Sequence, residues 1–174
     1  GMCTSEYTQS LLNLSESASK SEGVKLTTIF LGNESLIQRG RNTIAHHFME
    51  LPDATHLLFI DADIKFRVED IVKMIQADKS LIIGPVALKG YNWEEIRQAA
   101  VNGEDDIGRT GGVFNINHLP GIDMVNENEP FEIEHGGNAF MMIRRDVFET
   151  LKPHTPIYTN GGRSLPDGVE IFDY

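Results

Sequence analysis

The sequence predicts an α/β domain with a mainly parallel central sheet flanked by helices, and three observations carry that expectation. Helix-type and strand-type segments alternate between Val24 and Leu88, the order that builds βαβ units. The runs Leu57-Leu58-Phe59-Ile60 and Leu81-Ile82-Ile83 are continuously apolar, as strands covered on both faces are. A chain of 174 residues with 40% hydrophobic and 24% charged residues is long enough to bury one real core.

Each element follows from local pattern. Tyr7, Leu11, Leu14 and Ala18 recur at helical spacing behind the caps Thr4 and Ser5; the Ser-rich stretch Ser15 to Ser21 weakens that helix, and Gly23 stops it. Val24 to Leu31, rich in β-branched residues, reads as a strand broken at Gly32-Asn33. A helix from about Ser35 to Leu51 places Ile37, Ile44, Ala45, Phe48 and Leu51 on one face, and Pro52 closes it. The strand Leu57 to Ile60 ends in Asp61-Ala62-Asp63, and a helix then carries Val68, Ile71, Val72 and Ile75. Leu81 to Leu88 reads as another buried strand containing Gly84-Pro85.

Beyond it, Trp93 to Val101 reads as helix and Asn102 to Gly112 as a polar connection, with Glu104-Asp105-Asp106 a solvated loop. Short strands are expected at Val113 to Ile116 and Ile122 to Val125, and a stronger one at Ala139 to Ile143, leading into a helix from Asp146. Pro153 to Gly168, with three prolines and three glycines, reads as a loop, and no internal repeat appears.

Composition narrows the function. A formal net charge of -11 argues against a broad nucleic-acid surface, which needs excess Lys and Arg, but leaves room for a small anion held by a local basic cluster or a metal. The longest apolar runs are far too short for a transmembrane segment, and no charged-then-apolar leader opens the chain. The lone cysteine, Cys3, excludes an internal disulfide and fits a reducing, cytoplasmic setting; Gly1 before Met2 has the look of a tag scar.

The sharpest feature is Asp61-Ala62-Asp63 at a strand's carboxyl end, where ligands of open α/β sheets collect. Two carboxylates there suit a hard divalent cation, Mg²⁺ or Mn²⁺, completed by substrate phosphate. Solvated or capping aspartates are the plainer reading of the same spacing. Arg39 and Arg41 on the preceding helix lie about 200° apart around its axis, so at most one faces a ligand; the planar fork of donors suits phosphate. Asn42 supports the same site or caps locally.

In this ordered set the chain resembles GT-A glycosyltransferases, in particular family 2-like, small bacterial and phage-encoded members. Ser35-Leu36-Ile37-Gln38-Arg39-Gly40-Arg41-Asn42 followed by Thr55 to Ile64 is similar to their helix and D-x-D strand; Gly84-Pro85-Val86, Lys89 and Tyr91-Asn92-Trp93-Glu94 are similar to the segment after it. Gly136-Gly137-Asn138-Ala139-Phe140 through Phe148 resembles their glycine-led acceptor-side strand. The resemblance implies a single GT-A-like domain over 2–174, with a nucleotide-sugar and metal half at 2–100 and an incomplete acceptor-side half at 101–174.

It further implies transfer of a sugar from a UDP- or GDP-linked donor to an acceptor hydroxyl of unknown identity. Asp61 would lie near the ribose and metal, Asp63 would hold the Mn²⁺ or Mg²⁺ that grips the diphosphate, and Arg39, Arg41 and Asn42 would contact the donor. Gly136, Gly137 and Trp93 would lie on the acceptor side, though a plain turn and packing against the sheet are their simpler readings. His135 would complete the metal shell as in some relatives, while a histidine beside a glycine turn reads first as structural. Glu134 is not assigned as catalytic base, and His46 and His47 are read as non-ligands.

Two departures from that family matter. The usual opening strand is missing, and the sequence stops at Ile171-Phe172-Asp173-Tyr174 before the acidic motif that supplies a general base. A truncated donor-binding module without turnover is therefore the second reading, and a sheet edge left open at the start would favour a homo-oligomer. A D-x-D phosphatase of the haloacid-dehalogenase kind fits less well, because Lys65 stands where that motif has Thr or Val; an EF-hand fails because Phe66 stands where glycine is needed.

Overall fold

The computed structural model describes residues 2–32, 34–105, 107–121, 129–159, 165 and 168–174. In chain order the elements are α1 (Ser5–Lys20), α2 (Ile37–Met49), β1 (His56–Ile60), α3 (Val68–Gln76), β2 (Leu81–Ile83), β3 (Ala87–Tyr91), α4 (Trp93–Val101) and α5 (Ile107–Thr110). There follow β4 (Gly112–Phe114), β5 (Ile116–His118), β6 (Ile133–Gly136), β7 (Phe140–Arg144), α6 (Arg145–Leu151), a 3-10 turn (Lys152–His154), β8 (Ile157–Thr159) and β9 (Glu170–Phe172). The chain divides into two compact units, Gly1–Ile82 with Met141–Tyr174, and Ile83–Phe140.

The expected mainly parallel central sheet of the GT-A kind does not form. Among the described residues the strands fall into four small sheets: a three-stranded one in the order β1-β7-β2, and the pairs β3-β4, β5-β6 and β8-β9. Each of those pairs is antiparallel. Two local causes overturn the sequence expectation. The run Leu81 to Leu88 does not continue as one strand: it stops at Ile83 before Gly84-Pro85, and its second part pairs with β4 instead. Val24 to Leu31 joins no sheet, and Val24, Leu26 and Phe30 lie exposed at 52%, 41% and 71%. β-branched residues without a partner strand have nothing to pack against.

In the first unit, α2 supplies the main buried face. Ala45 and Phe48 pack with Leu57 and Phe59 of β1, Ile143 of β7 and Phe148 of α6. The Phe48 and Phe148 rings meet at 5.5 Å between centroids, and the Phe148 ring also meets Tyr174 edge-on at 5.0 Å. Ile37, expected on that face, begins the helix and remains 69% exposed. Arg145 locks the end of α2: its Nε donates to Ala54 O at 2.6 Å, and Nη2 donates to Phe48 O at 3.1 Å and to Leu51 O. Its guanidinium also lies 4.7 Å over the Phe48 ring. A cation at a helix C-terminus thus satisfies carbonyls that the helix itself cannot.

The helix α1 begins as expected, with Thr4 Oγ1 accepting from Tyr7 N at 3.1 Å. It is fastened to the segment after β1: Thr4 N donates to Ala62 O at 3.0 Å, and buried Ser10 Oγ accepts from Phe66 N at 3.1 Å. The Tyr7 and Phe66 rings meet edge-on at 6.2 Å. Ile71 and Met74 are the buried residues of α3, whereas Val72 and Ile75 stay 43% and 45% exposed. At the chain end, β8 and β9 pair Ile157 with Phe172 and Tyr158 with Ile171, and Ile171 is fully buried.

In the second unit, β3 pairs Tyr91 with Gly112 and Ala87 with Phe114, with an irregularity between, and β5 pairs Ile116 with Gly136. The helix α4 matches its expected span, and Asn92 Oδ1 caps it by accepting from Glu95 N at 3.3 Å. Glycines make room here: a Cβ on Gly136 would lie 2.0 Å from Ile83 Cδ1, and one on Gly84 would lie 2.3 Å from the Phe140 ring. The strand expected at Ile122 to Val125 lies outside the described residues, as does Asp106. Among the described residues no helix is long and apolar enough to cross a membrane.

Candidate functional site

β1 carries the acidic pair out of the core. The strand ends at Ile60, and Ile64 N donates to Asp61 O at 3.0 Å, closing a turn that exposes both Asp61 and Asp63. Asp61 is half-exposed and lines an open cavity of about 190 Å³ in the first unit. Leu36, Ile37, Ile44 and Phe59 give this cavity apolar walls, and Glu34, Arg41 and Asp61 give it charge.

Arg41 reaches the cavity from α2. Its Nη2 donates to Asp61 Oδ1 at 3.1 Å, and its Cζ lies 4.9 Å from the Phe59 ring centroid. The side chain is 17% exposed, and its Nη1 is buried with no hydrogen-bond partner among the described residues. A buried donor left unmade costs on the order of 1–3 kcal/mol, so an acceptor oxygen is favoured beside it. Burial raises the Asp61 carboxyl above the usual range, the Arg41 charge opposes that, and repulsion from Asp63 adds to it.

Arg39 is engaged elsewhere. Its Nε and Nη2 grip both oxygens of Glu34, at 2.7 and 2.6 Å, and Glu34 Oε1 also accepts from Leu36 N at 3.0 Å. These bonds hold the Glu34 carboxyl at about 2. Sequence reasoning missed Glu34; its signal was an acidic residue just before a helix start, where free N–H groups attract carboxylates. Gly40 accommodates it, since a Cβ there would meet Glu34 Cγ at 3.2 Å.

The other sequence candidates are not among the residues that line this cavity. Asn42 is buried, and its Nδ2 donates to Asp173 Oδ1 at 2.7 Å, tying α2 to the chain end. His135 and Glu134 belong to β6 of the second unit; His135 is 72% exposed and Nδ1 lies 3.8 Å from Glu134 Oε2. Gly136 makes room for Ile83, and Gly137 N donates to Asn115 O at 2.9 Å. Trp93 is 71% exposed, its ring 5.7 Å from that of Tyr91, so it does not pack into the second unit's core. His46 and His47 meet ring to ring at 6.0 Å on α2.

The residues that could hold a divalent cation here are Asp61 and Asp63. Among the described residues no three His, Cys, Asp or Glu side chains form a metal group. Two neighbouring carboxylates that repel each other nevertheless match the usual Mg²⁺ arrangement, in which one or two carboxylates are completed by substrate phosphates. Comparison of the chain with protein-family models, with curated proteins and with solved structures finds no match.

Proposed function

We propose that the cavity beside Asp61 binds the diphosphate of a nucleoside diphosphate sugar, with Mn²⁺ or Mg²⁺ on Asp61 and Asp63, for transfer of the sugar to an acceptor hydroxyl. The observation that carries the reading is the arginine–carboxylate corner itself: a buried Arg41 Nη1 without a hydrogen-bond partner among the described residues, beside Asp61 on an apolar-walled cavity, with the Asp63 charge repelling Asp61 from the same turn. Guanidinium and carboxylates of opposite sign in one cleft suit a ligand that is an anion chelated to a cation.

Asp61 and Asp63 would hold the metal, which when bound would supply positive charge against a departing diphosphate. Asp61 and Asp63 hold their carboxylates at the end of β1, fixed by the turn closed at Ile64. Arg41 offers donors to a phosphate oxygen and keeps its guanidinium over the Phe59 ring. The apolar walls exclude water from one side of the bound group and strengthen each charged contact.

Calorimetry with UDP or GDP and Mn²⁺ tests the reading, run beside a donor-hydrolysis assay. Metal-dependent binding that disappears in Asp63→Ala supports it, and turnover beside binding supports transfer over a binding module. Retained binding in Asp63→Ala overturns the assignment.

A further inference from the structure

The arginine–carboxylate pairs of the first unit are not alike. Arg39 grips Glu34 with two donors at 2.7 and 2.6 Å, and Arg144 grips Asp146 with two at 2.8 and 2.7 Å. Such two-point forks are the strong form of the pair. Arg41 touches Asp61 through one nitrogen, at 3.1 Å, on a carboxylate that is half-exposed. A single contact of that kind contributes about 0–1 kcal/mol. Arg41 also has a second resting place, because its guanidinium already lies over the Phe59 ring at 4.9 Å.

We propose that Arg41 is a positioning residue that occupies Asp61 as a stand-in cation until a divalent metal takes that carboxylate. The released guanidinium, still held over Phe59, then turns its donors to the diphosphate. This rests on the reading of the cavity as a nucleoside diphosphate site. A metal that takes Asp61 Oδ1 must displace the guanidinium, whose one bond to that carboxylate lies on the same oxygen. Arg41 therefore opposes metal binding when nucleotide is absent and favours nucleotide binding when metal is present. One residue thereby makes the two ligands arrive together, because each removes the obstacle to the other.

The test is calorimetry with Mn²⁺ alone, without nucleotide, on the whole chain. Arg41→Gln is expected to bind Mn²⁺ about two- to five-fold more tightly than the unaltered protein, while its affinity for UDP or GDP with Mn²⁺ falls. Arg41→Lys keeps the charge but loses the planar fork, and is expected to tighten Mn²⁺ binding as well. Were the effect only a charge felt through space, Arg41→Lys would match the unaltered protein, which overturns the proposal. Lys20→Gln removes a charge paired with Glu16 on α1 and is expected to leave Mn²⁺ affinity unchanged.

A second readout does not depend on the variants folding. In the unaltered protein, the Arg41 Nε resonance should move with Mg²⁺ occupancy in a nitrogen-15 titration. Metal binding with a static Arg41 signal, or equal Mn²⁺ affinity in Arg41→Gln, overturns the proposal and leaves the nucleotide-sugar reading standing. Failure of the unaltered protein to bind either Mn²⁺ or nucleotide overturns both.

Discussion

Asn42→Ala separates a ligand contact from a structural tie. Asn42 is 4% exposed on α2, and its Nδ2 donates to Asp173 Oδ1 at 2.7 Å. Hydrogen bonds to charged groups contribute about 1.5–3 kcal/mol when both partners are shielded. Asp173 is exposed, so water takes over its freed oxygen, and the expected loss falls to about 1–2 kcal/mol. At roughly 2–4 °C per kcal/mol for a chain of this size, the melting temperature should drop by about 2–8 °C, read by thermal denaturation. Metal-dependent nucleotide affinity, read by calorimetry at a temperature where the variant is folded, should not change. Asn42→Asp, of nearly the same shape, sets two carboxylates against each other and should lose more stability at pH 7 than at pH 3. A variant with unaltered melting and lost nucleotide binding would refute the reasoning and return Asn42 to the ligand.

Gly136→Ala places a methyl 2.0 Å from Ile83 Cδ1 and should destabilise by about 1–3 kcal/mol in urea titration; an unchanged midpoint would mean that Ile83 swings aside without cost. Arg145→Ala strips donors from the carbonyls of Phe48, Leu51 and Ala54 and should cost about 2–4 kcal/mol, with Arg145→Lys restoring only part because a point charge cannot span them. Glu34 has its folded value lowered from 4.5 to about 2 by Arg39, so its stabilising effect is present above 4.5 and lost as pH falls through 2. In Glu34→Gln that acid-side loss should be missing from the stability–pH curve, measured by denaturation between pH 2 and 6.

Much of the local structure was legible in the sequence. Thr4 capping α1, the apolar run of β1, the span of α4 and the strand-to-helix step at Arg144 all follow from periodicity and caps within a few residues. Pairing was not legible, because it is decided far away. β1 lies beside β7, more than seventy residues on, and no pattern within Leu57 to Ile60 names that neighbour. The even alternation of elements imitated βαβ units while Gly84-Pro85 broke the second strand and local antiparallel ribbons took up the rest.

At the site, helical geometry sets Arg39 and Arg41 about 200° apart, and in the structure they pair with Glu34 and Asp61. Asn42 was expected at the donor through the resemblance of Ser35 to Asn42 to the family's helix, with local capping as the alternative. Adjacent helical positions point about 100° apart, which carries Asn42 to the buried side and to Asp173.

The bond from Thr4 N to Ala62 O joins the middle residue of the acidic turn to the very start of α1. The turn that carries Asp61 and Asp63 is thereby tied to α1. Fraying of the first helical turn slackens the loop that presents both carboxylates, without touching either of them. Amide exchange at Thr4 should therefore slow whenever a ligand stiffens that loop, making a position at the far end of the chain a gauge of events in the cavity.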